Sequence, residues 1–395
     1  MFDSVEVDCL IIGAGPVGSV VAKGVAEKGH RVLMIEKRQE IGVPIRCGEG
    51  ISRGVLVALD LPLEGDWLSS EMEGARIFSP SGHMLMLGPE IAGPEAGFVI
   101  KREVFDRMLA QRAARAGAEI RVMTEALSLK REDGMASVRC QQLGKEYDIR
   151  SKIVVAADGF ESQVARWAGL DPTLSLRDID TCIQYEMIGI DCDPRYVDFY
   201  IGNEVAPGGY VWCFPKGDGT ANVGIGINGE RMRDPGEAKR YLDRFIGNRE
   251  GFRKGRIIEI NAGGVSVGLP MEVTHGDNII VVGDAARMID PITGGGIFNG
   301  VKAAMKAVEA VDRALVNGKW DAEGLRYYEE EWRKEMEEEL VRNYLVKEKF
   351  LDVSDSTLDK IVEAISGYDM KEVSTMELIN AITEKYPEVI KDIFG

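Results

Sequence analysis

The chain has 395 residues, 45% of them hydrophobic and 29% charged, with 46 glycines, which supplies a large apolar core and excludes a disordered chain. Acidic residues outnumber basic ones by 65 to 48, and the formal charge of −17 repels nucleic acid and anionic membrane surfaces at long range. The six cysteines (Cys9, Cys47, Cys140, Cys182, Cys192, Cys213) show no close pairing and His30, His83 and His275 stand alone, so a reducing cytosol and no metal centre are expected.

Residues 9–22, the longest charge-free stretch near the start, contain Gly13, Gly15, Pro16 and Gly18 and are too short to cross a bilayer. Asp3 and Glu6 stand where a secretory signal needs cations, so a cytoplasmic protein is expected. Residues 7–12 read as a strand, 16–28 as a helix stopped by Gly29, and 31–35 as a second strand. Glycine-rich 45–53, with Arg46, Cys47 and Glu49, reads as a functional loop or helix start. Pro80, Gly82, Gly88, Pro89, Gly93 and Pro94 divide 76–100 into short strands and turns.

Residues 103–116 carry Phe105, Met108, Leu109 and Ala113 at helical spacing, and 120–123 follow as a strand. A hairpin of 126–130 and 136–141 is expected to turn at Asp133-Gly134, before 153–157 returns to the sheet. Residues 181–227 alternate like a second, antiparallel sheet, 234–246 form a helix, and 279–282 are another buried strand leading to a long helix over 295–315. From 321 the chain is helical and charge-rich, with seven Glu between Glu329 and Glu339 and a capping box at Ser374 and Glu377.

The fold class is therefore α/β, α+β overall: a Rossmann-like dinucleotide-binding domain (1–75, 101–175, 263–320), an inserted antiparallel-sheet substrate domain (76–100, 176–262) and a C-terminal helical region (321–395). Gly13-x-Gly15-x-x-Gly18, with Ala22, Gly29 and Glu36, carries the first chemistry. Gly13 permits a tight turn, Gly15 lets the backbone approach a pyrophosphate, Gly18 lets helix and strand pack, and Pro16 suits the first helical turn. The helix start faces phosphates, and Glu36 takes both ribose hydroxyls, which disfavours a 2′-phosphate. NAD or FAD fits; NADP does not.

The choice between them falls to Val281-Val282-Gly283-Asp284-Ala285-Ala286 and the turn from Asp290 to Ile297 with Gly294, Gly295 and Gly296. Asp284 suits polyol hydroxyls, and a second glycine-rich helix start suits the N1–C2=O edge of a reduced flavin, so both ends of FAD are held. The plain alternative is a strand-turn-helix with structural glycines.

Together with Glu36-Lys37-Arg38, Arg46-Cys47-Gly48-Glu49-Gly50, Ala156-Ala157-Asp158-Gly159 and Tyr210-x-Trp212-x-Phe214-Pro215-Lys216-Gly217, these motifs resemble the geranylgeranyl reductase family over almost the whole chain. The likeness is strongest to its archaeal ether-lipid branch, within the FAD enzymes shaped like p-hydroxybenzoate hydroxylase. The resemblance implies FAD contacts from Gly13, Ala14, Gly15, Gly18, Glu36, Cys47, Gly48, Gly50, Arg102, Ala126, Asp284, Gly295, Gly296 and Ile297. Arg102 offers a fork of donors, Ala126 only its backbone.

The implied reaction hydrogenates isolated C=C bonds of geranylgeranyl chains in ether phospholipids, giving phytanyl chains. Hydride would come from reduced FAD and a proton from an acid, with Cys47 the catalytic candidate and ordered water the alternative. Such chemistry asks for an apolar, water-poor cavity. Tyr210, Trp212 and Phe214 project from one strand face and can wall it, although an aromatic core is the ordinary role of such residues. Lys216 reads as a headgroup contact or a solvated turn charge.

Gly224-x-Gly226 lacks a third glycine, so the expected electron donor is a transiently docked reduced nicotinamide or a carrier such as ferredoxin. Membrane contact is expected to be peripheral, through an apolar lip or a basic patch. A flavin monooxygenase or halogenase on the same scaffold is the alternative, suggested by Asp158-Gly159. A non-catalytic flavoprotein that binds prenyl lipids is the third reading.

Overall fold

A computed structural model describes residues 5–88, 97–366 and 375–394. The chain folds as two units of three segments each. Met1–Ile45, Arg102–Leu174 and Ser266–Tyr344 form the first; Arg46–Lys101, Ser175–Val265 and Leu345–Gly395 form the second.

In the first unit, strand Val5–Ile12 lies parallel between Lys145–Ala156 and Val32–Ile35. Glu119–Arg121 extends one side, and Ile279–Val281 followed by His275–Gly276 extends the other. Cys9, Leu10 and Ile11 are fully buried and every residue of Val32–Ile35 is buried, which is the continuous apolar run of parallel strands covered on both faces. Helix Pro16–Glu27 makes the crossover between these strands and packs on helices Arg102–Arg115 and Ile297–Asn317. The expected hairpin joins Thr124–Glu132 to Met135–Gln142, and its turn residues Asp133 and Gly134 both have positive φ, 53° and 74°. That is the two-residue geometry that Asp-Gly suits.

The second unit is built on a seven-stranded sheet in the order Arg256–Ser266, Ile179–Ile188, Thr220–Asn228, Tyr210–Gly217, Tyr196–Ile201, Gly74–Phe78, Met84–Leu87. A smaller sheet orders Gly50–Ser52, Gly97–Ile100 and Leu68–Glu71. Helix Asp355–Ser366 covers the edge strand Met84–Leu87, closing a core that contains Leu85, Leu358, Ile361 and Ile365. At the other edge, Arg256–Ser266 is exposed over its first five residues.

The expected α/β class, with an antiparallel sheet inserted between segments of a Rossmann-like unit, is the fold the chain adopts. Its boundaries differ from the expected ones in two places. Residues 46–75 fall in the second unit, because Gly50–Ser52 and Leu68–Glu71 pair with Gly97–Ile100 while Gly74–Phe78 pairs with Tyr196–Ile201. Residues 321–395 form no region of their own: Leu325, Tyr328 and Trp332 join the first core, and Val353, Leu358 and Ile361 join a core of the second. The capping box at Ser374 and the punctuation at 89–96 lie outside the described residues.

Helix Ala322–Trp332 is anchored by three side chains on its inner face. Tyr328 Oη donates to Val281 O (2.8 Å), Trp332 Nε1 donates to Thr274 Oγ1 (2.9 Å), and Glu329 Oε2 accepts from Thr274 N (2.9 Å) beside His275 Nδ1 (2.7 Å). Burial opposes the Glu329 charge, but His275, the Thr274 amide and Arg333 outweigh it and bring the carboxyl from 4.5 to about 2. A carboxyl depressed in the fold stabilises fully above about pH 4.5, and that contribution is lost as pH falls through 2. Glu329→Gln is expected to cost about 1–2 kcal/mol at neutral pH, allowing for partial solvent screening. It should also flatten the loss of stability between pH 4.5 and 2 in urea titrations, and identical acid limbs for the two proteins would refute this.

Candidate active site

The first unit carries two glycine-rich turns. Strand Val5–Ile12 ends at Gly13, whose φ is 105° and whose absent Cβ would lie 2.2 Å from Ala157 O; a Cβ on Gly18 would lie 2.0 Å from Gly13 O. Both glycines are therefore required by the chain itself. Gly15 is different: among the described residues no atom lies within 4 Å of its would-be Cβ, and its φ of −68° suits any residue. The helix that starts there has Pro16 in its first turn and no side-chain cap among the described residues, a helix start whose leading amides favour an anion. Above this turn Glu36 Oε2 accepts from Ala14 N (3.2 Å) and Oε1 from Arg38 N (3.0 Å), which fixes the carboxylate at the end of its strand.

The second turn lies beside the first, because Val17 sits where side chains at Gly283 and Gly300 would otherwise be, 3.0 Å and 2.5 Å from their would-be Cβ atoms. Asp284 follows strand Ile279–Val281, and its Oδ1 comes within 2.8 Å of a Cβ on Gly296, the uncapped start of helix Ile297–Asn317. Burial raises the Asp284 carboxyl above the usual range, with Arg102 pulling against it. Arg102 is not a solvated charge: its fork grips Asp106 through Nε (2.7 Å) and Nη2 (2.8 Å). Asp158, next to the Gly13 turn, accepts from Val164 N through Oδ2 (3.0 Å), while its buried Oδ1 has no partner among the described residues. Ala126 lies on strand Thr124–Glu132 opposite Cys140.

The space at Gly15, the uncapped helix starts and the orphaned Asp158 oxygen match a dinucleotide held at both ends, so the residues fit FAD.

The second unit positions the turn that carries Cys47. Cys47 Sγ accepts from Glu49 N (3.2 Å), and Cys47 O accepts from Gln184 Nε2 (3.1 Å), whose Oε1 accepts in turn from Trp212 Nε1 (2.8 Å). Asn222 Nδ2 donates to Gly48 O (3.2 Å) and Glu49 Oε2 (2.7 Å). Lys216 Nζ reaches Glu49 Oε2 and Glu186 Oε2, each at 2.7 Å. These ties hold Glu49 at a φ of 72°, a left-handed conformation that a non-glycine residue adopts only when its surroundings enforce it.

Sheet register explains the convergence. Gln184, Gly224 and Trp212 are opposite one another across three strands, and Glu186, Asn222 and Phe214 form the next row. Residues directly opposed in antiparallel pairs share a face. Gly224 leaves room for the Trp212 ring, which would lie 2.2 Å from a Cβ there. Tyr210, Trp212 and Phe214 do line up on that face, at centroid spacings of 6.0 Å and 6.5 Å. Trp212 is only 8% exposed and committed to Gln184, so the more open rings are Tyr210 and Phe214, and Phe214 lies against Gly48 and Gly50.

Lys216, expected at a headgroup or in solvent, is instead buried between two carboxylates. Burial opposes its charge, but Glu49 and Glu186 outweigh this and hold the ammonium above its usual range. Gln184, Glu186 and Asn222 escape sequence reasoning, although their period-two spacing with Trp212 and Phe214 across the strands is the signal that exposes them. Lys216→Met should leave Glu49 and Glu186 without their cation and cost about 3–5 kcal/mol in urea denaturation, with Lys216→Arg recovering most of it. A loss under about 1 kcal/mol for Lys216→Met would show the cluster to be a surface pair in energetic terms.

Comparison with known proteins bears on the whole chain. Residues 178–265 match the geranylgeranyl reductase catalytic domain, and residues 11–62 match an NAD(P)-binding Rossmann-like domain. A digeranylgeranylglycerophospholipid reductase of Thermoplasma volcanium is 45% identical over 390 residues, covering 98% of each chain. One from Methanosarcina acetivorans is 44% identical over 392 residues, covering 98% of this chain and 95% of its own. A crystal structure of a geranylgeranyl bacteriochlorophyll reductase-like protein from Thermoplasma acidophilum superposes with a TM-score of 0.93 at 43% identity, covering 99% of both chains. A flavin-dependent brominase, at 20% identity, a TM-score of 0.72 and coverage of 96% of this chain and 99% of its own, shares the fold alone. The chain thus belongs to the geranylgeranyl reductase family, among the digeranylgeranylglycerophospholipid reductases.

Proposed function

We propose that this protein is an FAD-dependent reductase that saturates C=C bonds in the geranylgeranyl chains of archaeal-type ether phospholipids. The observation that carries the reading is the pair of glycine-rich turns held side by side around Val17, which offers a site for each end of one dinucleotide in a chain so closely related to named reductases. The Gly13–Gly18 turn and its helix start bind the pyrophosphate, Glu36 takes the ribose hydroxyls, and Asp284 with Gly295, Gly296 and Ile297 serves the flavin end. Burial raises the Asp284 carboxyl above its usual range, and Arg102 pulls against that rise.

Reduced FAD supplies the hydride equivalent. An isolated alkene has no oxygen to stabilise, so the protein's own part is to deliver a proton to the second carbon and to exclude water. Cys47 is the acid in this reading. When its proton leaves, the sulfur keeps the Glu49 amide as a hydrogen-bond donor, and the Lys216–Glu49–Asn222 ties hold that amide in place. The thiolate regains its proton from solvent once the saturated product has left. Gly48 and Gly50 allow the Phe214 ring against the turn, and Tyr210, Trp212 and Phe214 supply apolar walls for the prenyl chain.

Among the described residues no helix is long and apolar enough to cross a membrane, so contact with a lipid layer is peripheral in this proposal. Electrons arrive from a reduced nicotinamide or a ferredoxin; an acidic carrier needs a local cluster of Lys and Arg to overcome the charge of −17. Anaerobic incubation of the reduced protein with geranylgeranyl ether lipid should add the mass of two hydrogens per double bond. Addition of an oxygen atom would instead favour the monooxygenase reading.

Cys47→Ala is expected to lower kcat by about a hundred-fold or more with little change in KM, and an unchanged kcat would remove Cys47 from the mechanism. Gly15→Ala should weaken FAD binding while leaving the melting temperature of the FAD-free protein unaltered, whereas Gly18→Ala should lower that temperature outright. Equal melting temperatures for the two variants would contradict the separate roles assigned to these glycines.

A further inference from the structure

The edge strand Arg256–Ser266 opens with five consecutive exposed residues, and Ile257, Ile258 and Ile260 among them are 47%, 58% and 57% exposed. Alternate strand residues point to opposite faces, so these isoleucines project on both sides of the sheet edge. Ile188, 44% exposed, ends the neighbouring strand Ile179–Ile188, and a Cβ on Gly255 would meet Ile190 and Met187 close by. Immediately before the isoleucines stand three exposed cations, Arg253, Lys254 and Arg256. Arg253 and Lys254 share Glu250 at 3.4 Å and 3.7 Å, Asp191 packs on Gly251, and with Glu259 the stretch 250–260 itself sums to +1 on a chain of −17.

We propose that residues 253–260, with Ile188, form the surface by which the protein docks on an anionic lipid layer. Charge selects this occupant: the cations attract lipid phosphates where most of the chain repels them, and the attraction acts within about 10 Å at 0.1 M salt. Shape selects it as well. A second copy pairing along this edge would satisfy the outer backbone but leave isoleucines on both faces in water. A strand entering the headgroup region edge-on buries both faces, while its free backbone groups stay at a depth where water and headgroups can meet them.

Direction provides a third argument. The same strand continues to Gly263, where a Cβ would lie 3.7 Å from the side chain of Arg46, the residue before Cys47. At roughly 3.3 Å per residue, Ile258 and Gly263 are about 17 Å apart along the strand. The strand thus links the exposed patch to the turn that carries the proposed acid. The inference deepens the proposed function and rests on its lipid substrate for why such a surface exists.

The test is flotation of the full-length protein with vesicles of equal parts phosphatidylglycerol and phosphatidylcholine, and with phosphatidylcholine alone. Binding is expected to the anionic vesicles, with at least a ten-fold loss in the Ile257→Ser/Ile258→Ser/Ile260→Ser variant and a comparable loss in Arg253→Gln/Lys254→Gln/Arg256→Gln. Saturation of detergent-dispersed geranylgeranyl lipid should be unchanged in both variants, while saturation of the same lipid in vesicles falls. Failure of the wild-type protein to float, equal flotation of the isoleucine variant, or its conversion from dimer to monomer in light scattering would each overturn the proposal. If detergent-dispersed lipid is never saturated by the wild-type protein, the proposed reaction fails, and flotation still decides the docking surface on its own.

Discussion

A single methyl-branched side chain organises the first unit. Val17 fills the space left at Gly283 and Gly300, and this brings the start of helix Pro16–Glu27 against the turn that follows strand Ile279–Val281. The close contact brings two helix starts, each without a side-chain cap, into one region of the sheet. Backbone amides at such starts favour negative groups, so the packing of an apolar residue sets up the electrostatics of the site. A bulkier residue at either glycine would separate the turns before it touched any ligand.

In the second unit the organising constraint is cross-strand registry. Two successive rows of opposed residues bring the Gln184 amide, the Trp212 indole, the Asn222 amide and the Glu186 carboxylate to one face, and together with Lys216 they hold the three residues from Cys47 to Glu49, Trp212 acting through Gln184 and Glu186 through Lys216. The turn is tied at both ends, through the Cys47 carbonyl and the Glu49 carboxylate, so the amide between them stays aimed at sulfur. A loop of this length would otherwise sample several conformations, and the left-handed Glu49 would be the first to relax.

Local features were legible in the sequence where backbone geometry demands a particular residue. Asp133-Gly134 marked its hairpin, and Gly13 and Gly18 marked the first glycine-rich turn, because tight turns and close approaches accept few side chains. Allegiance to a unit was less visible: 46–75 and 321–395 contain ordinary strands and helices whose partners lie far along the chain, and periodicity says which face is buried but not against what. Lys216 shows the same limit at the site. Its place at a strand end suggested solvent, and only the opposed Glu186 and the distant Glu49 reveal a buried charge cluster.

The interleaving of the two units has a consequence for synthesis. Each unit takes one of its segments from beyond residue 265, so neither sheet has its full complement of supporting elements while the first two thirds of the polypeptide emerge from the ribosome. Strand Gly74–Phe78 waits for Tyr196–Ile201, Lys145–Ala156 waits for Ile279–Val281, and Met84–Leu87 waits for a helix near the C-terminus. Pairings of such long sequence separation form slowly and leave strand edges open in the meantime. Nascent chains of this architecture therefore depend on being shielded from one another until the final helices have been made.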